Sequence, residues 1–151
     1  MRKPDLFLRL AAILTFIHAV LHTIGGVFGK PGPGPATIAV DAMKVNSFIF
    51  MGATRTYWDF NRGLGLAVAI FLVAEAIVFW QLASIARSDA RPLRPVLITF
   101  AVAYLALAAN SYFYFFFAPV IVELVIAGLL ALAIISASSQ PKLRPRNSTG
   151  D

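Results

Sequence analysis

Four side chains that can exchange protons or bind a ligand lie inside otherwise apolar stretches of this chain. They are two histidines and two glutamates: His18, His22, Glu75 and Glu123. Burying an ionisable group in a bilayer costs about 2 to 3 kcal/mol on insertion scales, so such residues usually face a site or a partner. An imidazole or carboxyl group tuned by burial and a neighbouring charge suits general acid–base chemistry on a carbonyl or a double bond. These residues are therefore the first candidates for a functional site.

The elements that must position these side chains are four long apolar stretches. They cover residues 6–28, 64–86, 95–117 and 119–139. Each is long enough to cross a bilayer, because a helix of about 20 apolar residues spans a hydrocarbon core about 30 Å thick. In lipid the backbone must satisfy its own hydrogen bonds, which favours helices. The sequence predicts an all-α fold, a four-transmembrane-helix bundle that forms one membrane domain over residues 1–140.

The composition excludes several classes of protein. Charged residues make up 13% of the chain and hydrophobic residues 59%, whereas a soluble domain has about 25% charged residues. The net charge of +6 does not indicate nucleic acid, because the basic residues lie at helix ends, where they set topology and contact anionic lipid. The chain has no cysteine, which excludes thiolate catalysis, disulfide exchange and iron–sulfur clusters.

The distribution of lysine and arginine predicts the orientation. The N-terminus, the loop after the second span and the tail contain nine of them, and the long first loop with the start of the second span contains four. The positive-inside rule then places both termini in the cytoplasm of a bacterial inner membrane. Residues 141–151 read as a disordered basic tail. The first apolar stretch is too long for a signal peptide and lacks a small-residue cleavage site, so we expect it to be retained.

The first loop, from Lys30 to Asn61, is the longest connection. It opens with alternating prolines and glycines, which break helices. Residues 36–51 are too polar to span and favour a helix that lies in the membrane interface. The aromatic residues near position 58 are typical of an outer aromatic belt. We expect this loop to cover the outer end of the bundle.

Each spanning helix has a stripe of small and polar residues that we expect to face the bundle interior. The stripes are Ala11, Thr15, His18, His22, Gly25 and Gly29; Asn61, Gly65, Val68, Leu72 and Glu75; Thr99, Ala103, Ala106, Asn110 and Tyr114; and Glu123 with Ala127. At 1.5 Å per residue, His18 and Glu75 lie about 15 and about 16 Å below the outer ends of their helices, so they can share a layer. His22, Asn110 and Glu123 form a shallower layer. The pattern predicts a polar pocket in the outer half of the bundle.

The expected roles follow from these depths. His18 and Glu75 would be the proton-transfer pair at the floor of the pocket, unless they form only a structural hydrogen bond between helices. His22, Asn110 and Glu123 would orient the polar end of a ligand. The motif Trp58-Asp59-Phe60-Asn61-Arg62 has two readings. Its residues either cap the second helix or, through Trp58, Asp59 and Arg62, recognise a lipid head group or substrate.

A metal site is the weaker interpretation of the same histidines. His18 and His22 share one helical face and could hold an ion with Glu75 or Glu123. Only two histidines exist in the chain, and the two glutamates lie on different helices. A bis-histidine haem needs ligands on opposite faces. No metal and no cofactor is therefore expected.

One resemblance can be stated from motifs. The run His18-x-x-x-His22-x-x-Gly25-Gly26, the proline–glycine loop and Trp58-Asp59-Phe60-x-Arg62-Gly63 resemble a group of uncharacterised small bacterial four-helix membrane proteins. The topology of that group is similar to that of DoxX-like proteins and, more remotely, of the EXPERA sterol-isomerase and sterol-binding domains. The chain reproduces no EXPERA active-site motif, so the resemblance implies a topology and no catalytic residues.

These observations predict an integral membrane protein that binds a small apolar molecule or lipid, or converts it by isomerase-like acid–base chemistry. One alternative is a non-enzymatic membrane assembly component whose polar residues only specify packing. A second alternative is a metal- or haem-linked redox protein. The expected partners are membrane lipids and a small apolar ligand, and a homo-oligomer is compatible with them.

Overall fold

The computed structural model describes residues 3–138; the predicted tail at residues 141–151 and the last residue of the predicted fourth span lie outside this part. The described chain is mostly helical, with one β-hairpin. Its elements are α1 (Pro4–Leu21), a π-helical segment (His22–Val27), α2 (Pro35–Val45), β1 (Ser47–Phe50), β2 (Ala53–Thr56), α3 (Tyr57–Ala86), a 3-10 turn (Arg91–Leu93), α4 (Arg94–Tyr114) and α5 (Phe117–Ser138).

Four helical segments in the described residues are long and apolar enough to cross a membrane. They are Pro4–Val27, Tyr57–Ala86, Arg91–Tyr114 and Phe117–Ser138. The prediction of four apolar helices of spanning length, as in a multi-pass membrane protein, is confirmed by their length and composition. The second segment begins seven residues before the predicted residue 64, because a capping interaction at Thr56 starts the helix there.

That helix start is a reciprocal pair of hydrogen bonds. The backbone N–H of Asp59 donates to Thr56 Oγ1 at 3.0 Å, and the backbone N–H of Thr56 donates to Asp59 Oδ2 at 3.1 Å. Two amides that the helix itself leaves unpaired are thereby satisfied. Asp59 is exposed, and the geometry agrees with the capping reading of the tryptophan–aspartate motif.

The described residues divide into two compact units. One contains residues 3–11 and 79–138, and the other contains Ala12–Val78. The core of the first unit includes the hairpin of α4 and α5. Phe79 is fully buried, and its ring centroid lies 5.0 Å from that of Phe100 and 6.1 Å from that of Tyr104.

The connection between α4 and α5 is only Phe115 and Phe116. The predicted fourth span starts at residue 119, two residues after the beginning of α5, and Pro119 lies in the first turn of this helix. Proline is tolerated there because its missing N–H would have no partner inside the helix. The short turn aligns the end of α4 with the beginning of α5, so residues of the two helices pair at the same level.

The buried face of α4 differs from the predicted one. The stripe of Thr99, Ala103, Ala106, Asn110 and Tyr114 is exposed. The buried residues are Leu97, Tyr104, Ala108 and Ser111. The prediction for this face is wrong. A spanning helix is apolar all round, so the position of small residues does not mark the side that packs.

The second unit contains a β-hairpin that the all-α prediction missed. Residues 36–51 were expected to form one interfacial helix, but α2 ends at Val45 and β1 follows. Asn46 has extended backbone angles, and its side-chain amide donates to the carbonyl of Ala42 at 2.7 Å, which helps to end the helix. The next residues, Ser47–Phe50, are aromatic or β-branched apart from the serine and favour a strand.

The turn that connects α3 to the 3-10 segment is held by one ion pair. Arg91 donates from Nε to Asp89 Oδ1 at 3.0 Å and from Nη2 to Asp89 Oδ2 at 3.1 Å, and its backbone N–H donates to Oδ1. These bonds from Arg91 hold the pKa of Asp89 below its usual value. The basic turn is thus a defined structure rather than a loose link.

Candidate functional sites in the spanning helices

The helix that carries both histidines changes its winding at His22. From His22 to Val27 the backbone is π-helical, and the N–H of Phe28 donates to the carbonyl of Thr23, five residues back, at 3.0 Å. The hydroxyl of Thr23 donates to the carbonyl of Ala19 at 2.7 Å. Single π-helical turns are rare and occur frequently at functional sites. The altered winding therefore singles out this end of the first span.

His22 is anchored across to α3. Its Nε2 lies 3.0 Å from the carbonyl oxygen of Gly65. A carbonyl can only accept, so Nε2 carries the proton, and in a neutral ring Nδ1 is then the acceptor. A Cβ on Gly26 would lie 3.4 Å from Nδ1 of this ring, so a glycine at position 26 leaves room for the imidazole. His22 is a half-buried residue whose orientation is set by the backbone of a neighbouring helix.

The approach of the two segments around His22 depends on Gly65. A Cβ built on Gly65 would lie 3.0 Å from Cγ2 of Val27, which is buried with 4% exposure. The small residue at position 65 allows Val27 to pack against the same turn of α3 whose carbonyl binds His22. Gly65 thus allows Val27 to pack closely and supplies the carbonyl oxygen that accepts the hydrogen bond from His22.

His18 lies one turn earlier on the same face and is held differently. Its Nδ1 is buried and has no hydrogen-bond partner within residues 3–138. Buried polar atoms are nearly always paired, and an exception points to a catalytic role or to an unseen water or ion. His18 is 14 residues after Pro4 and nine before Val27, which places it about 14 Å from the later end of the span. In a spanning helix, the surrounding hydrocarbon offers such an atom no hydrogen-bond partner.

The structure places Glu75 on α3 as a half-buried residue. Its pairing with His18 stays a prediction.

Trp58, in the first turn of α3, is half-buried, and Nζ of Lys44 lies 5.8 Å from the centroid of its ring.

Arg62 has an aromatic partner. Its guanidinium carbon lies 4.6 Å above the ring centroid of Phe28. The sequence analysis assigned Arg62 to recognition of a head group or substrate and did not predict this contact. A cation over an aromatic face is a stabilising contact, and it connects the first turns of α3 with the residue that follows the π-helical segment.

The other acidic residue, Glu123, lies in the first unit between α4 and α5. It is buried with 5% exposure, and Ser111 with 4%. Ser111 Oγ donates to Glu123 Oε1 at 3.0 Å, and Oε2 is buried without a partner in the described part of the chain. The prediction that Glu123 and Ala127 face inward is confirmed, since both are buried. Asn110, expected beside them, is exposed on α4.

Sequence reasoning missed Ser111 and the π-helical segment, and it placed Gly65 on the inward stripe of the second span without predicting its role as a hydrogen-bond acceptor. Ser111 lies four residues before Phe115 and Glu123 lies seven after Phe116, so counting from the connection would have paired Glu123 with Ala108, and Ser111 left no signal in the sequence. The adjacent glycines Gly25 and Gly26 weaken regular α-helix and were a signal for altered winding. The carbonyl of Gly65 left no signal in the sequence.

No group of three histidine, cysteine or acidic side chains in residues 3–138 is arranged to hold a metal ion. In the histidine pair, Nε2 of His22 donates a hydrogen bond to the carbonyl of Gly65, and Nδ1 of His18 has no partner in the same residues.

Comparisons of the chain with protein-family models, with curated proteins and with solved structures find no match.

Proposed function

We propose that this protein binds, within the membrane, a small and largely apolar molecule that has one hydrogen-bonding group. The observation that carries the proposal is the buried Nδ1 of His18, which has no hydrogen-bond partner among the described residues 3–138. Transfer of an unpaired polar group from water to hydrocarbon costs several kcal/mol, and about 1 to 3 kcal/mol in proteins, where other groups compensate in part. A hydroxyl or carbonyl group of a bound molecule would remove this cost.

The same imidazole suits acid–base conversion of the ligand. A neutral imidazole accepts a proton at one nitrogen and donates from the other. His18 would remove a proton from a carbon next to a carbon–carbon double bond, and a protonated Glu75 would donate a proton to the far carbon of that bond, so that the double bond moves by one position. Transfer of the proton from His18 to Glu75 then restores both side chains. The sum of these steps is an isomerisation, with no net oxidation and no co-reactant.

The test is analysis of the molecules that co-purify with the protein. We expect mass spectrometry of the extracted wild-type sample to detect one apolar molecule at a near-stoichiometric level, and His18→Gln to lower its amount at least about tenfold, the factor that corresponds to 1.4 kcal/mol. Ser84→Ala is the control, because Ser84 is an exposed polar residue of α3 whose hydroxyl donates to the carbonyl of Trp80 on the same helix, so this variant should retain the molecule. Equal retention by wild type and His18→Gln would contradict the proposal.

The proposal includes an orientation and a location. Both termini are placed in the cytoplasm of a bacterial inner membrane, and α2, which has no buried residue, is placed in the outer interface. A reporter inserted at Gly34 should then signal the outer side, and reporters at Ser88 and after Lys142 should signal the cytoplasm. Reporters at Gly34 and Ser88 that signal the same side would refute the orientation. A topology similar to that of DoxX-like proteins and, more remotely, of EXPERA domains is part of the proposal as well, and it is supported by the histidine and glycine motif of the first helix, the proline–glycine loop and the motif at residues 58–63.

A second candidate function is that of an assembly partner. The observation that favours it is the exposure of Asn110 and Thr99 on α4, since polar side chains on the outer face of a spanning helix commonly bind another helix. In that case Asn110→Leu would dissociate a complex, measured by the mass of the protein in a lipid disc, and would leave the His18-dependent molecule in place.

A further inference from the structure

The β-hairpin of the first loop ends in an exposed apolar tip. Ile49, Phe50 and Met51 are 77%, 68% and 91% exposed. They are consecutive in the chain and lie at the end of the hairpin, with Gly52 completing the turn. We call Ile49–Gly52 the hairpin tip. Contiguous exposed apolar surface marks a binding surface for a membrane or a partner.

The base of the hairpin is fixed to a spanning helix. The ring of Phe48 lies 5.1 Å from that of Tyr57 and 5.9 Å from that of Phe60. The N–H of Tyr57 donates to the carbonyl of Asn46 at 3.2 Å. Since Tyr57 and Phe60 form the first turn of α3, the strands start at the end of a membrane helix. Four residues of strand extend about 13 Å, so the tip lies within about that distance of the start of α3.

The turn residue at the tip is unusual. Met51 has φ 49°, and in the described chain it is the one residue other than glycine with positive φ. Gly52 follows with φ 81°. Two-residue turns with positive φ at both positions favour asparagine or aspartate followed by glycine. A long apolar side chain at this position strains the backbone, and its contact with an apolar environment is a physical reason for its presence.

One cation, Arg55, lies on the strand that follows the apolar tip. Arg55 is exposed on β2 opposite Phe48, and its Nη1 donates to the carbonyl of Thr54 at 2.7 Å. This combination of apolar side chains with a neighbouring cation is typical of segments that bind the boundary between head groups and acyl chains. The unpaired outer edges of a two-stranded hairpin argue against deeper insertion, because water or head groups must satisfy them.

From these observations we infer that the hairpin tip inserts into the head-group region of the leaflet next to the start of α3, and that Arg55 binds the phosphate of an anionic lipid. The inference goes beyond the proposed ligand site, because it depends on neither His18 nor Glu75. It assigns to the long first loop the role of a membrane anchor that holds the beginning of α3 at a constant depth.

The absence of cysteine from the chain permits a direct test with a spin label. The full-length Met51→Cys variant is labelled with a nitroxide in lipid discs of phosphatidylcholine, alone or mixed with phosphatidylglycerol. Collision rates with oxygen and with a water-soluble nickel chelate report depth. Ser88→Cys, in the exposed basic turn, is the control, and Phe50→Cys repeats the measurement without changing the turn residue.

We expect the ratio of oxygen to nickel collisions to be severalfold higher at positions 50 and 51 than at Ser88, and higher still in discs with phosphatidylglycerol. Arg55→Gln in the labelled background should remove the increase caused by phosphatidylglycerol. Ratios equal to that of Ser88 would overturn the inference. Spin–spin broadening that disappears on dilution with unlabelled protein would show a second copy on the tip and would overturn it as well. An Arg55→Gln variant that keeps the full lipid effect would overturn the assignment of Arg55.

Discussion

Replacing Ser111 by alanine is expected to lower the free energy of unfolding by about 1 to 3 kcal/mol, the cost of leaving a buried polar group without a partner. Ser111 Oγ donates the hydrogen bond that Glu123 Oε1 accepts at 3.0 Å. Since Oε2 of the same carboxyl group already has no partner within residues 3–138, the substitution removes the last hydrogen bond described for that side chain. Unfolding of the detergent-solubilised protein by a denaturing detergent measures the change.

Ser138→Ala is the matched control. Its hydroxyl is exposed and donates to the carbonyl of Ile134 on its own helix at 3.0 Å, so the change should stay within about 0.5 kcal/mol. A double variant tests the cause. Because replacing both partners of a hydrogen bond by apolar groups can be nearly neutral, Ser111→Ala combined with Glu123→Leu should recover most of the lost stability. Equal small losses for Ser111→Ala and Ser138→Ala would contradict a stabilising role of the bond.

Gly65→Ala is expected to destabilise the protein by about 1 to 3 kcal/mol, the range for overpacking a well-packed contact. The added Cβ would lie 3.0 Å from Cγ2 of Val27, and a β-branched side chain has little freedom to rotate away. The same shift would lengthen the hydrogen bond from His22 to the carbonyl of Gly65. The detergent-unfolding midpoint measures stability, and nitrogen-15 shifts of the His22 ring measure the hydrogen bond.

Gly63→Ala, two residues earlier on α3, provides the contrast. A Cβ at Gly63 would meet nothing within 4 Å, so alanine should stabilise the helix by about 0.5 to 1 kcal/mol. Val27→Ala combined with Gly65→Ala should relieve the clash, because it removes Cγ2. If both glycine variants change stability in the same direction, the close approach at Gly65 does not limit packing.

The spanning helices could be predicted from the sequence because their formation is a local property. An apolar stretch of sufficient length must form its own hydrogen bonds in lipid, whatever it packs against. The first and third segments accordingly extend within four residues of the predicted bounds. The inward position of Glu123 was predictable for a similar reason, since a carboxyl group in a span avoids lipid.

The hairpin and the start of α3 could be predicted only in part from the sequence. The sequence of the first loop indicates interruption by proline and glycine, but the choice between helix and strand for Ser47–Phe50 depends on contacts made elsewhere. Phe48 packs on Tyr57 and Phe60, and strand preference reflects such packing more than an intrinsic tendency of the backbone.

Tertiary structure alone decided which face of α4 is buried, that Ser111 rather than Asn110 bonds Glu123, and that His22 binds the carbonyl of Gly65. In a soluble helix the apolar face marks the core, but in a spanning helix every face is apolar and the periodicity carries no such information. A backbone carbonyl is the same group in every residue, so its selection as an acceptor is set by the approach of two helices. The sequence by itself determined the spans and the residue types that can do chemistry, and packing determined which of their atoms have a hydrogen-bond partner in residues 3–138 and which, such as Nδ1 of His18, do not.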